Sequence, residues 1–253
     1  MAASARETWP LDPEEARFLT ENLAATQAAL VVAGLLGCAV VSGLSDGAWL
    51  SAFVGLGWAQ VVARSLASCP AGLALASGLA LAAAFLGLGA LAERLSWRLD
   101  EGAAVKDARR GVNGELPRLA LPVIVLLMAM TAVAEELVFR LALLGGLWVG
   151  LGMVMPTGLA GLGALVASTF VFWLAHVRYR DFWSSALVLA LGLVLGLAFM
   201  VSGSLAVVAV AHGAYDLADV LVERRKMARD PDYFLGPAPD RVLLDLVEEE
   251  ERR

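Results

Sequence analysis

Long stretches of apolar residues alternate with short polar connectors between Glu21 and Val222. Seven stretches, at residues 22–42, 49–68, 71–92, 118–146, 159–177, 183–201 and 203–222, approach or exceed the ~20 residues that a helix needs to cross roughly 30 Å of hydrocarbon. An outer-membrane barrel would instead show strands of about ten residues with alternating polar and apolar side chains. The pattern therefore predicts an all-α, polytopic membrane protein with seven transmembrane helices, or eight if the overlong fourth run divides near Arg140. One long helix is preferred there, because Arg140 falls one turn after Glu136 on the same face. Gly and Pro break that run in the segment GLGMVMPTG, Gly150 to Gly158.

Composition agrees. Of 253 residues, 59% are hydrophobic and only 17% charged, whereas a soluble domain is nearer half apolar and about a quarter charged. The chain reads as a single membrane domain over 1–253. Three N-terminal spans occupy 22–92, a four-helix half that carries the chemistry occupies 118–222, and a polar tail occupies 223–253. The net charge of −6 and the lack of a basic stripe interleaved with aromatics leave no footprint for nucleic acid. Cys38 and Cys69 read as small hydrophobes within or at the end of apolar helices. The acidic, polar first 21 residues do not read as a cleavable signal peptide.

Lys and Arg set the expected orientation. They collect in 93–118 (Arg94, Arg98, Lys106, Arg109, Arg110, Arg118), in the loop HVRYRD (Arg178, Arg180), and at the start of the tail (Arg224, Arg225, Lys226, Arg229). With four spans between 118 and 222, all three regions fall on one side, expected to be the cytoplasm. The protein is thus placed in the cytoplasmic (inner) membrane with its tail inside, and three preceding spans put its N-terminus outside. Trp49, Trp148 and Trp183 sit near span ends, where interfacial anchors occur. The connector 93–117, with Leu95, Trp97, Leu99 and Val105 among charges, reads as an amphipathic element on the membrane surface.

Ionisable side chains inside such spans are costly unless paired and turned inward, so each is a functional candidate. The last four spans hold Glu135, Glu136, Arg140, His176, His212, Asp216 and Asp219, including both histidines of the chain. Glu136 and Arg140, at i and i+4, can form an ion pair. Glu135 lies about 100° away around the helix and is free for other work. His212 and Asp216 are also i, i+4, so a carboxylate can reach the imidazole and fix its tautomer. Such a set serves hydrolysis by carboxylate-activated water with histidine donors to an oxyanion. It also serves a metal site built from Glu135, His176, His212 and Asp216, or a proton relay in a small proton-coupled transporter. The bland alternative is a polar network that only holds helices together, at roughly 1 kcal/mol per contact.

The same residues carry a resemblance. Glu135-Glu136-Leu-Val-Phe-Arg140, Phe172-Trp-Leu-Ala-His176 and His212-Gly-Ala-Tyr-Asp216 resemble, in that order, the three-part signature of the CPBP family. That family comprises CAAX-type prenyl-protein endopeptidases with bacteriocin-processing and immunity relatives, also called Abi proteins. Its pattern is EExxxR, FxxxH and HxxxN, or HxxxD in many bacterial members. The resemblance implies an intramembrane endopeptidase acting on membrane-embedded, hydrophobic or lipidated peptides. Glu135 would activate water, Glu136 and Arg140 would support it, and His176 would hold the water or donate a proton. His212 with Asp216 would line the oxyanion site. The family is described as glutamate-dependent, so no cofactor is expected, although the dispersed donors could take a divalent metal such as zinc; no HExxH is present. An ionised Asp216 would repel an oxyanion, so it either orients His212 or is protonated when the oxyanion forms; the first is preferred. The rival readings are a non-catalytic membrane scaffold or immunity-type binding protein, and the transporter. Substrate identity and any accessory membrane protein are not legible.

Overall fold

The structure, a computed structural model, describes residues 11–99, 112–176 and 182–229. The loop arginines Arg178 and Arg180, most of the amphipathic connector, the extreme N-terminus and the tail beyond Arg229 lie outside the described residues. Nine α-helices of four or more residues order the described chain: α1 (Pro13–Asp46), α2 (Trp49–Phe53), α3 (Gly57–Ala67), α4 (Ala71–Leu99), α5 (Val112–Glu115), α6 (Leu121–Gly152), α7 (Thr157–Ala175), α8 (Phe182–Ser202) and α9 (Leu205–Arg229). Six of them, α1, α4, α6, α7, α8 and α9, are long and apolar enough to cross a membrane. At most 39% of the apolar window of any of the six is buried inside the molecule. The rest of that surface faces outward, as lipid rather than water allows. This is an integral, multi-pass, all-α membrane protein.

The expected second span, 49–68, is not one helix. It forms α2 and α3, separated at Leu56, which adopts φ 62°. Left-handed backbone at a non-glycine residue interrupts the helical hydrogen bonds, and Gly55 and Gly57 on either side weaken any drive to continue. This segment remains at one end of the bundle. Ser65 Oγ of α3 donates to Gly203 O at 2.8 Å and accepts from Leu205 N at 3.0 Å, so it caps the first turn of α9 beside the Gly203 turn (φ 64°).

The opposite end collects the chain start, the connector before α6 and the C-terminal turns of α4 and α9. Leu11 and Leu19 pack with Leu116, Leu119 and Ile124. Arg224 donates to Pro117 O at 2.7 Å and Leu119 O at 2.6 Å. Lys226 lies 3.4 Å from Glu93. The described start of the chain therefore lies at the basic end, not across the membrane from it. Three crossing spans would put Leu11 at the other end; among the described residues it does not lie there, because 49–68 forms two short helices in place of one long one.

Helix α1 begins with Asp12, whose side chain accepts from Glu14 N at 2.8 Å, and with Pro13 in its first turn. It runs alongside α6 at close range: a Cβ on Gly34 would collide with Leu137, and one on Gly37 with Ala142. Small residues let the two backbones approach, as membrane helices commonly require. Around this seam Cys38, Phe85, Leu144, Leu195, Phe199 and Val208 form the principal core. Cys38 is a free, fully buried thiol filling that core.

The long fourth run is a single helix, α6, with one irregularity: Leu137–Leu144 takes π-helical geometry. Such insertions are rare and concentrate at functional sites. This one follows directly on the paired glutamates. Trp148 beyond it donates through Nε1 to Thr157 O at 3.3 Å, fastening the turn between α6 and α7.

Candidate active site

Three helices carry the candidate residues to one place. Helix α6 supplies Glu135, Glu136 and Arg140, α7 ends at His176, and α9 supplies His212 and Asp216. All six belong to one connected cluster.

Its support is an ion pair. Glu136 and Arg140 are both fully buried, with Arg140 Nε 3.0 Å from Glu136 Oε2. The approach is close but not aligned as a hydrogen bond, and none of the three guanidinium nitrogens has a hydrogen-bond partner among the described residues. Charge attraction and stacking therefore hold the guanidinium. Its Cζ lies 4.6 Å from the centre of the Phe172 ring, within the range of a cation–π contact. Phe172 also meets Phe139 edge-on at 5.1 Å and His176 at 4.5 Å. Ser168, one turn before Phe172, donates to Phe139 O at 2.8 Å, which pins α7 against the widened segment of α6. The aromatic position of the second motif is thus a structural contact of the arginine of the first.

The other oxygen of Glu136 makes the contact that sequence spacing did not reveal. Glu136 Oε1 lies 2.8 Å from His212 Nδ1. The carboxylate accepts, so Nδ1 carries a proton and Nε2 is left to face the cavity. Asp216 Oδ2 sits 3.3 Å from that Nε2. The i, i+4 pair expected within α9 is therefore present, but the shorter contact of the imidazole is with Glu136, 76 positions away in sequence. His176 Nδ1 donates to Phe172 O at 2.8 Å. A carbonyl only accepts, which likewise turns Nε2 of His176 inward.

Both Nε2 atoms face one oxygen. Glu135 Oε2 is 3.8 Å from His176 Nε2 and 3.9 Å from His212 Nε2, and it has no hydrogen-bond partner among the described residues. These separations exceed a hydrogen bond and match the span of one bridging molecule. Among the described residues no group of three or more His, Cys, Asp or Glu converges closely enough to hold a metal ion.

A cavity of about 600 Å³ opens onto this cluster, a size that suits a substrate side chain or a short peptide segment. Its floor is Glu135, His176, His212 and Asp216, and its walls are largely apolar, with Leu86 of α4, Met128 of α6 and Leu187 of α8. Glu93, Asp219, Glu223 and Lys226 stand towards the basic end. Trp183, expected as an interfacial anchor, lines the cavity, and so does Gln27 of α1. Neither was legible as a site residue. A lone amide on an otherwise apolar stretch of α1 was the available signal for Gln27.

Residues 117–218 match the family model of Rce1-like proteins, described as type II CAAX prenyl endopeptidase Rce1-like. No curated protein and no solved structure matches the chain. The matched region begins at Pro117, just ahead of α6, ends within α9 and encloses all three motifs and the cluster they build, so it is this part of the chain that is similar to the CAAX-type prenyl endopeptidases.

Proposed function

We propose that the protein hydrolyses peptide bonds of membrane-associated peptides with a prenylated or otherwise hydrophobic C-terminal segment, by water activated at Glu135. The observation that carries this is the position of Glu135 Oε2, unpartnered among the described residues and 3.8–3.9 Å from two inward-facing imidazole nitrogens. A water held between them could lose a proton to Glu135 while its oxygen attacks the scissile carbonyl carbon. The oxyanion that forms accepts from His212 Nε2–H, whose imidazole is held by Glu136 through Nδ1. The proton taken by Glu135 passes, directly or through His176, to the leaving nitrogen as the C–N bond breaks. The products are a carboxylate and a free amine. The apolar walls exclude bulk water and strengthen each of these contacts.

We further propose that the basic end, with Arg94, Arg98, Arg118, Arg224 and Arg225, faces the cytoplasm of an inner membrane. The cavity then receives substrate from the cytoplasmic leaflet.

The direct test reconstitutes the purified protein in lipid vesicles with a farnesylated CAAX peptide. Cleavage is expected, and prolonged treatment with EDTA and 1,10-phenanthroline should leave its rate within about two-fold. Loss of activity on chelation, restored by zinc, would replace the glutamate mechanism with a metal-dependent one.

In this scheme Asp216 stabilises a doubly protonated His212 by accepting from Nε2–H in the resting site. Asp216→Asn removes that charge but keeps an acceptor. Its kcat should fall about 10-fold, the scale of one charge-assisted hydrogen bond, with KM little changed. An increase in kcat would assign Asp216 instead to direct donation as a protonated acid.

A further inference from the structure

Gln27 belongs to α1, outside the matched region 117–218. Its side chain is 6% exposed, it lines the cavity that holds Glu135, and its Oε1 has no hydrogen-bond partner among the described residues. An amide oxygen buried without a donor destabilises the fold unless something outside the fold completes it. Leu23 of the same helix and Leu127 and Met128 of α6 line the cavity with it and offer no side-chain donor, and Thr131 of α6, which also lines the cavity, makes no hydrogen bond to this oxygen. The oxygen is thus open to a donor from what occupies the cavity.

The helix register gives its height above the catalytic carboxylate. Helices α1 and α6 both start at the basic end and run in parallel, with Gly34 against Leu137 and Gly37 against Ala142. Gln27 precedes Gly34 by seven positions and Glu135 precedes Leu137 by two. From Gly34 and Leu137 the offset is five residues, and from Gly37 and Ala142 it is three, so at ~1.5 Å per helical residue Gln27 lies about 5–7 Å nearer the basic end than Glu135. An extended peptide advances ~3.3 Å per residue, so this is about two residues from the bond being cleaved.

We propose that Gln27 is a substrate-binding residue whose Oε1 accepts the main-chain N–H of the substrate residue about two positions from the scissile bond, on the side towards the cavity mouth. The proposal rests on the proteolytic reading above. It gives the first helix a role in setting where the peptide is cut: a main-chain contact fixes the register of a peptide whatever its side chains. A fixed register holds the scissile carbonyl over the Glu135 water.

The test uses the full-length protein in lipid vesicles and a quenched fluorescent peptide with a farnesylated cysteine four residues from its C-terminus. A second set of peptides replaces one amide N–H at a time by an ester oxygen, which deletes the donor and little else. With intact protein, one ester position about two residues from the cleaved bond should lower kcat/KM about 10-fold, mainly through KM. Gln27→Leu should lower kcat/KM of the all-amide peptide by a similar factor and be indifferent to that ester. An intact protein that cleaves the all-amide peptide but is indifferent to every non-scissile ester overturns the role of Gln27 alone. An intact protein that cleaves none of the peptides overturns the proteolytic reading and this one with it. Should Gln27→Leu fail to fold, the ester series on intact protein still decides.

Discussion

Glu135→Gln should lower kcat at least ~100-fold, within the range that loss of a general base produces, while KM and thermal stability stay close to those of the intact protein. The side chain is nearly isosteric, and Glu135 makes no contact shorter than 3.8 Å with either histidine. Its removal therefore leaves the ion pair and the His212–Glu136 contact in place. Parallel measurement of peptide cleavage and of the unfolding midpoint in detergent checks both halves. A variant that keeps most of its activity would remove Glu135 from the chemistry. A variant that loses stability as well would make it a structural carboxylate.

The second large effect is of the opposite kind. Arg140→Met should destabilise the protein by about 3–5 kcal/mol, the cost of leaving one member of a buried ion pair uncompensated, and should lose activity with it. Glu136 is 0% exposed, and among the described residues Arg140 supplies its nearby permanent cation. The companion variant separates charge from packing. Glu136→Leu combined with Arg140→Met removes both charges and should recover much of the stability, because an apolar pair of similar volume often replaces a buried ion pair without loss. It should not recover activity, since His212 then lacks the carboxylate at Nδ1. Detergent unfolding curves for the single and double variants, read beside peptide cleavage, check both expectations. A double variant no more stable than Arg140→Met would assign the arginine's role to its stacking on Phe172 instead.

Local spacing carried much of this in the sequence. The separation of Glu136 from Arg140, and of His212 from Asp216, is one helical turn, and both pairs meet at 3.0 and 3.3 Å. The apolar runs placed the long helices to within a few residues at most of their ends, because hydrocarbon imposes a length that composition alone reveals. Contacts made across the bundle were less visible. Nothing in either motif says that Glu136 reaches His212, because that depends on how α6 and α9 cross. The π-helical turn after Glu136 has no sequence rule behind it. Residues 49–68 are long enough for a span, and Arg64 near the outer end, with the pattern Gly55-Leu56-Gly57, hinted at the irregularity that splits them into two short helices. Gln27 is not legible in the sequence for a related reason: an uncharged amide becomes informative only when its burial and missing partner are known.

The most direct measurement compares peptide termini in membranes of cells that make the intact protein with those of cells that make Glu135→Gln at equal level, in a host without its own copy. New termini that appear only with the intact protein, flanked by hydrophobic or lipidated segments, are the expected result. Identical sets of termini, with both proteins folded and inserted, would contradict hydrolysis by water activated at Glu135.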